Sequence, residues 1–319
     1  MDIFLQLALL VVGFVLLMKG ADWFVDGASG IAARLGIPEL VVGLTIVAMG
    51  TSLPEAAVSI AAATKGSAEI TIGNVIGSNI LNVLIILGIT SLIRVIPVQK
   101  STVHYEIPFT IGVTVLLVCL GIFDHRVGRL DGGILWLFMI LYLVYLWQMA
   151  KKGKDGPEGS EAEQKEEKNK KGIAILILMV IVGGAMIVLG SDVTVDAATA
   201  IAKMFGMSER FIGLTIVAFG TSLPELVTSV TAAVKGKTDI AMGNIVGSNI
   251  FNILFVVGTS ALIIPVTYSK DFFVDGFVAV GTMILLFVCV FKNKRLGRVG
   301  GALMLVGYAG YFCYLIRPQ

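Results

Sequence analysis

Gly43 to Glu55 reads GLTIVAMGTSLPE, and Gly213 to Glu225 reads GLTIVAFGTSLPE. Twelve of the thirteen positions agree at an offset of 170 residues, so the chain contains an internal duplication. Outward from these segments the agreement continues. Gly73 to Asn82, GNVIGSNILN, matches Gly243 to Asn252, GNIVGSNIFN, and Asp22 and Asp26 match Asp192 and Asp196. Leu116 to Cys119 (LLVC) matches Leu286 to Cys289 (LFVC), so the repeat covers nearly the whole chain.

The composition says where the repeat resides. Of 319 residues 56% are hydrophobic and 14% charged, and the mean hydropathy is +0.92. A soluble domain carries roughly 25% charge. Here apolar runs long enough for a bilayer core of about 30 Å replace it, which predicts an all-α polytopic membrane protein. Ten runs are expected: Ile3 to Gly20, Leu40 to Thr64, Ile70 to Ile93, Ile107 to Phe123, Gly132 to Ala150, Gly172 to Ser191, Phe211 to Val234, Ile240 to Ile264, Gly276 to Phe291 and Val299 to Ile316. The first lacks a basic flank and a cleavage signal and reads as a span, not a signal peptide. A net charge of +2 implies neither nucleic acid nor an acidic partner. Cys119, Cys289 and Cys313 lie in apolar runs as packing residues. His104 and His125 leave few ligands for zinc or haem.

Lys151 to Lys171 holds seven Lys against six Asp or Glu and reads as a solvated, disordered linker. The expected domains are therefore residues 1–150, the linker 151–171, and residues 172–319. Five spans per half is an odd number, so the halves enter the membrane from opposite sides, as inverted repeats of the kind that build midplane sites in secondary transporters. With the linker side holding 17 of the 24 Lys and Arg, the positive-inside rule places the linker in the cytoplasm and both termini outside.

The second and seventh runs each contain one charged residue, Glu55 and Glu225. A carboxylate at a helix centre costs about 2.5–3.5 kcal/mol on insertion scales, and the runs hold no basic residue to neutralise it except Lys19 at the end of the first. The bland reading is a protonated carboxyl bonded to a neighbouring helix. A cation site is favoured by the residues around it. Thr51 and Ser52 share the helix face of Glu55, and Pro54, with Gly50, should break the helix and free carbonyls for a cation. Thr221, Ser222, Pro224 and Glu225 repeat the set. Asn74, Ser78 and Asn82 form a polar stripe at i, i+4 and i+8, matched by Asn244, Ser248 and Asn252. Helix-packing glue is the alternative for these stripes, and for Asn74 and Asn244 it is the preferred one. Oxygen ligands without sulfur or imidazole select sodium, calcium or magnesium. Two carboxylates balance one divalent or two monovalent ions, while the empty site suffers like-charge repulsion, a basis for exchange. KGKT at Lys235 to Thr238 lacks the first glycine of a phosphate loop. GTSLP lacks the last glycine of a hydrolase elbow and has no histidine beside it.

The doubled GTSLPE and GSNIxN resemble the two alpha-repeats of the sodium/calcium exchanger family, within the calcium/cation antiporters. The resemblance implies a ten-helix inverted-repeat exchanger, with spans two, three, seven and eight as the ion-binding core and spans one and six sliding across it. It implies side-chain ligands Thr51, Ser52, Glu55, Ser78, Asn82, Thr221, Ser222, Glu225, Ser248 and Asn252, joined by the carbonyls of Ala48 and Ala218. Potassium-dependent members have Asp where this chain has Asn252, so potassium independence is expected, and the short linker leaves no calcium-sensing regulatory domain. The expectation is a plasma-membrane antiporter, not an enzyme, exchanging sodium for calcium. Proton coupling is the alternative, and a cation channel the rival class. No cofactor, nucleotide, nucleic acid or obligatory protein partner is implied; the surroundings are lipid and the cargo calcium and sodium.

Overall fold

The computed structural model describes residues 3–65, 69–154, 172–206 and 218–315. Its helices are α1 (Ile3–Leu35), α2 (Glu39–Thr51), α3 (Leu53–Thr64), α4 (Ile70–Ile93), α5 (Thr102–Asp124), α6 (Arg129–Lys154), α7 (Ile173–Met204), α8 (Ala218–Gly220), α9 (Leu223–Val234), α10 (Thr238–Ile263), α11 (Asp271–Phe291) and α12 (Arg298–Leu315). Residues 155–171, which make up most of the expected linker, lie outside the described residues, as do 211–217 of the seventh run. Four two-residue strands lie between helices: β1 (Ile96–Pro97), β2 (Arg126–Val127), β3 (Val266–Thr267) and β4 (Arg295–Leu296).

Among the described residues seven helices, α1, α4, α5, α6, α7, α10 and α11, are long and apolar enough to cross a bilayer, and α2 with α3, bent by 49°, passes the same test as a pair. Of the ten expected runs, the two left over are the 12-residue α9 with α8 before it, and the 18-residue α12. Strand pairing bears on the first of these. β2 pairs antiparallel with β3, and β1 with β4. Four segments separate β2 from β3, and an even number of crossings is needed to bring both strands to one side. Three of the four are long and apolar enough to cross, and the pairing agrees with a crossing by the α8–α9 segment as the fourth. Other links obey the same parity. Arg94 at the end of α4 donates to the carbonyl of Val234 at 3.1 Å, Gln99 to Asp239 at 2.7 Å and Arg298 to the carbonyl of Leu92 at 3.2 Å, all on the β1–β4 side. Arg129 donates to the carbonyl of Ile263 at 3.2 Å on the other. β1 and β3 are repeat mates, as are β2 and β4, so each clasp joins the two halves of an inverted pair.

The first helix departs from the sequence reading. α1 does not end near Gly20 but runs 33 residues to Leu35, and its mate α7 runs 32. At 1.5 Å per residue each is about 50 Å long, more than the bilayer core requires. Lys19, Asp22 and Asp26 thus stand on a continuing helix and not in a loop. The two helices pack antiparallel through glycines. A Cβ added at Gly20 would meet the Gly183 carbonyl oxygen at 2.8 Å, and one at Gly183 would meet that of Gly20 at 2.7 Å. Such backbone contact is the close approach small residues allow in membranes. At the centre, 94% of the α10 span and 72% of the α4 span is buried, against 22% for α1 and α7. An all-round apolar helix belongs in the interior, and the polar stripes on α4 and α10 therefore sit in the driest part of the molecule.

Candidate functional site

The bend between α2 and α3 falls at Ser52. Its backbone N–H still bonds the Ala48 carbonyl at 3.0 Å, and its own carbonyl accepts the Ala56 N–H at 3.1 Å. Pro54 sits in the first turn of α3, where its missing N–H is tolerated. Ser222 and Pro224 do the same at the start of α9. A π-helical stretch, Gly43–Val47, precedes the break, and two more begin at Asn82 and Asn252. Such stretches loosen the regular ladder and turn side chains inward.

Glu55 and Glu225 are both fully enclosed, within electrostatic range of one another. A hydroxyl of each half stands beside the carboxylate of the other. Ser52 donates to Glu225 Oε1 at 2.9 Å, and Ser222 lies beside Glu55. Ser78 stands beside Glu55, and Thr51 and Ser248 beside Glu225. The Ala48 carbonyl receives Thr51 Oγ1 and Ser248 Oγ, each at 3.4 Å. It is thus directed at this cluster, but it is not the freed carbonyl that the proline break suggests. Thr221 is half-buried, and Ala218 opens the short α8. Apart from Thr221, all of the expected side-chain ligands are buried, and Thr51, Ser52, Ser78, Ser222 and Ser248 stand beside the two carboxylates.

Asn74 and Asn244 are structural ties. Asn244 Nδ2 donates to Ser229 Oγ at 2.9 Å and to the Glu225 carbonyl at 3.4 Å. Asn74 Nδ2 donates to Ser59 Oγ at 2.9 Å and to the Glu55 carbonyl at 3.2 Å. They fix the backbone that carries each carboxylate. Thr51 Oγ1 reaches Asn244 Oδ1 at 3.0 Å, closing that corner. Asn74 and Thr221, the repeat mates of Asn244 and Thr51, are both half-buried.

Asn79 and Asn249 were missed by the stripe reading, because they lie one residue off its face. Asn79 Nδ2 donates to the Asn249 carbonyl at 3.1 Å and Asn249 Nδ2 to that of Asn79 at 3.3 Å. Asn82 Nδ2 then donates to Asn249 Oδ1 at 3.0 Å, and Asn252 Nδ2 to Asn79 Oδ1 at 3.2 Å. Amide orientation follows from this network. With each NH2 group donating to the opposite repeat, the oxygens of Asn82 and Asn252 are left without a hydrogen-bond partner. Their presence in both repeat copies was the signal.

Five buried oxygens here have no hydrogen-bond partner: Glu55 Oε2, Glu225 Oε2, Asn82 Oδ1, Asn252 Oδ1 and Ser222 Oγ. Leaving one buried polar atom unpaired costs about 1–3 kcal/mol, more when charged. Among the described residues no basic side chain is buried to meet these five oxygens, two of which are carboxylate. Among the described residues no three His, Cys, Asp or Glu side chains come together, so neutral oxygens must complete any coordination shell.

Two buried carboxylates at the seam of two inverted repeats are the arrangement expected of a membrane ion carrier. The chain belongs to the sodium/calcium exchanger protein family, whose model matches residues 5–148 and 175–317, one copy in each half. It is 39% identical to the putative antiporter CaxA of Alkalimonas amylolytica, covering 94% of this chain and 95% of that one. It is 34% identical to the sodium/calcium exchanger MaX1 of Methanosarcina acetivorans, covering 96% and 97%. Among solved structures it is similar to the sodium-calcium exchanger NCX_Mj soaked with sodium and without calcium, with a TM-score of 0.84, 32% identity, and 99% and 100% of the two chains covered. The family is one of transporters, and the protein is a multi-pass membrane protein.

Proposed function

We propose that this protein exchanges sodium for calcium across the membrane through one site built by Glu55 and Glu225. The observation that carries the reading is the pair of duplicated, enclosed carboxylates with five unpartnered oxygens. Thr51, Ser52, Ser78, Asn82, Thr221, Ser222, Ser248 and Asn252 complete the ligand set, with the carbonyls of Ala48 and Ala218. Calcium takes six to eight oxygens in flexible geometry, whereas magnesium keeps several waters that this dry cluster would have to strip. The fixed charge of two matches one calcium or two sodium ions, so a loaded carrier is neutral and an empty one is strained by repulsion. Family kinship supports sodium over protons as the driving ion. In equilibrium binding to the purified protein, calcium should be displaced by sodium with a Hill coefficient above one. Calcium binding indifferent to sodium would overturn the reading.

The repeats are residues 1–150 and 172–319, tethered by a cytoplasmic linker at 151–171, with both termini outside a plasma membrane. Lipid surrounds the carrier and no protein partner is required.

The asymmetry between the halves supports alternating access. Lys235, at the end of α9, pairs with Asp26 at 2.7 Å and Asp22 at 3.2 Å on α1. Its repeat mate Lys65 makes no ion pair with Asp192 or Asp196, the mates of those aspartates, although all are described residues. The closed pair lies on the side of the sealed Thr51–Asn244 corner. The opposite-facing state exchanges the two arrangements, with Lys65 on Asp192 and Asp196 and Lys235 released. Half-exposed ion pairs contribute only about 0–1 kcal/mol, as suits two states near balance. In protein without its native cysteines, an Asp26→Cys/Lys235→Cys cross-link and a Lys65→Cys/Asp196→Cys cross-link should each arrest transport and never form in the same molecule. Double cross-linking of one molecule would contradict the exchange.

A further inference from the structure

A third intramembrane carboxylate lies away from the ion site. Sequence reading began the fourth span at Ile107, but α5 starts at Thr102 and carries Glu106 in its second turn. Glu106 is 1% exposed, although it lies on the periphery of the fold. Tyr145 of α6 donates to its Oε1. Its Oε2 has no partner, and neither has the hydroxyl of Tyr142, itself 4% exposed.

These groups floor a cavity of about 350 Å³ between α5 and α6, walled by His104, Tyr105, Phe109, Phe138 and Leu141. Phe109 and Tyr142 stack at 5.6 Å, and Tyr105 and Tyr145 face one another at 6.5 Å. The mouth is formed by Tyr105 and Leu141, which are 64% and 54% exposed on the outer face of two membrane-crossing helices. The pocket therefore opens sideways into lipid.

Its chemistry selects an occupant. An anion is repelled by Glu106. A metal ion would find one carboxylate, one imidazole and three phenols, with no group of three His, Cys, Asp or Glu among the described residues, where calcium needs six or more oxygens. A hydrocarbon chain would leave Glu106 Oε2 and the Tyr142 hydroxyl unpaired. A protonated primary amine offers three N–H donors and a charge, and aromatic faces attract cations in addition. Lys100, before α5, and Lys151 and Lys152, near the end of α6, lie on the same side of the membrane as the mouth, where they can meet a phosphate. We propose that this pocket binds the ammonium head of a phospholipid bearing a primary amine, with Glu106 and Tyr142 as acceptors and the acyl chains leaving past Tyr105 and Leu141.

The test titrates phosphatidylethanolamine, phosphatidylcholine, phosphatidylglycerol and dodecylamine onto the full-length protein in detergent, following retention by native mass spectrometry and the thermal unfolding midpoint. The ethanolamine lipid should be retained at least tenfold more tightly than the choline or glycerol lipid and should raise the midpoint. Glu106→Gln should erase that preference. Leu141→Trp, which fills the exposed mouth and leaves the carboxylate intact, should erase it as well and decides the matter if Glu106→Gln does not fold. Equal retention of all three lipids, an undiminished preference in Leu141→Trp, or binding of dodecylamine alone would overturn the proposal.

Discussion

Replacing either Glu55 or Glu225 with glutamine is expected to lower calcium exchange by roughly a hundredfold or more. Glutamine keeps nearly the same shape, so the loss isolates charge. With one carboxylate left, a bound calcium retains an uncompensated positive charge in a site sealed from water, and an unpaired buried charge costs about 3–5 kcal/mol. Each 1.4 kcal/mol is about tenfold in affinity. A single carboxylate still balances one sodium ion, so sodium binding should outlast calcium binding in both variants. Calcium-45 uptake and sodium-22 binding, on protein that elutes as wild type does in size exclusion, check this. Wild-type exchange in Glu55→Gln would remove that carboxylate from the site. Because the two positions are repeat mates, a large effect at one and none at the other would equally contradict a shared site.

The second large effect is expected at Asn249, a residue placed behind the ligands. Its Oδ1 holds the Asn82 amide at 3.0 Å and its Nδ2 holds the Asn79 carbonyl at 3.3 Å. In Asn249→Ala the Asn82 amide loses its anchor and can turn NH2 inward, where it repels a cation. Calcium affinity should fall by about 10–100-fold, the range seen when groups that orient a metal ligand are removed. The measurement is the calcium concentration for half-maximal exchange. Asn79→Ala should behave alike, because Asn252 hangs from Asn79 in the same way at 3.2 Å. Unchanged calcium dependence in both would mean that the paired amides do not orient the ligands.

Much of this was legible in the letters. Duplication and span parity expose an inverted architecture, and the helix break is written in the proline at position 54, which lacks an N–H. The carboxylates announce themselves by their cost in an apolar run. Other features depend on distances between segments. Apolar periodicity ends α1 near Gly20, yet the helix continues, because Gly183 of α7 packs against Gly20 and Phe24, and Leu176 against Gly27 and Gly30. Asn79 and Asn249 fall off the stripe because their partners belong to the opposite repeat, which no spacing within one helix reveals. Glu106 was left outside its span because hydropathy places a boundary at the first charge, whereas a tyrosine from α6 lets the helix begin a turn earlier.

The central claim is that one site carries calcium one way and sodium the other. Its most direct test is calcium-45 uptake into proteoliposomes of the wild-type protein loaded with sodium, potassium, or a pH gradient, in a sodium-free bath. Uptake should appear with internal sodium, vanish when sodium is equal on both sides, and be absent with potassium, protons or no trans ion. Uptake that proceeds equally with no trans ion, or that follows the proton gradient and ignores sodium, would contradict it.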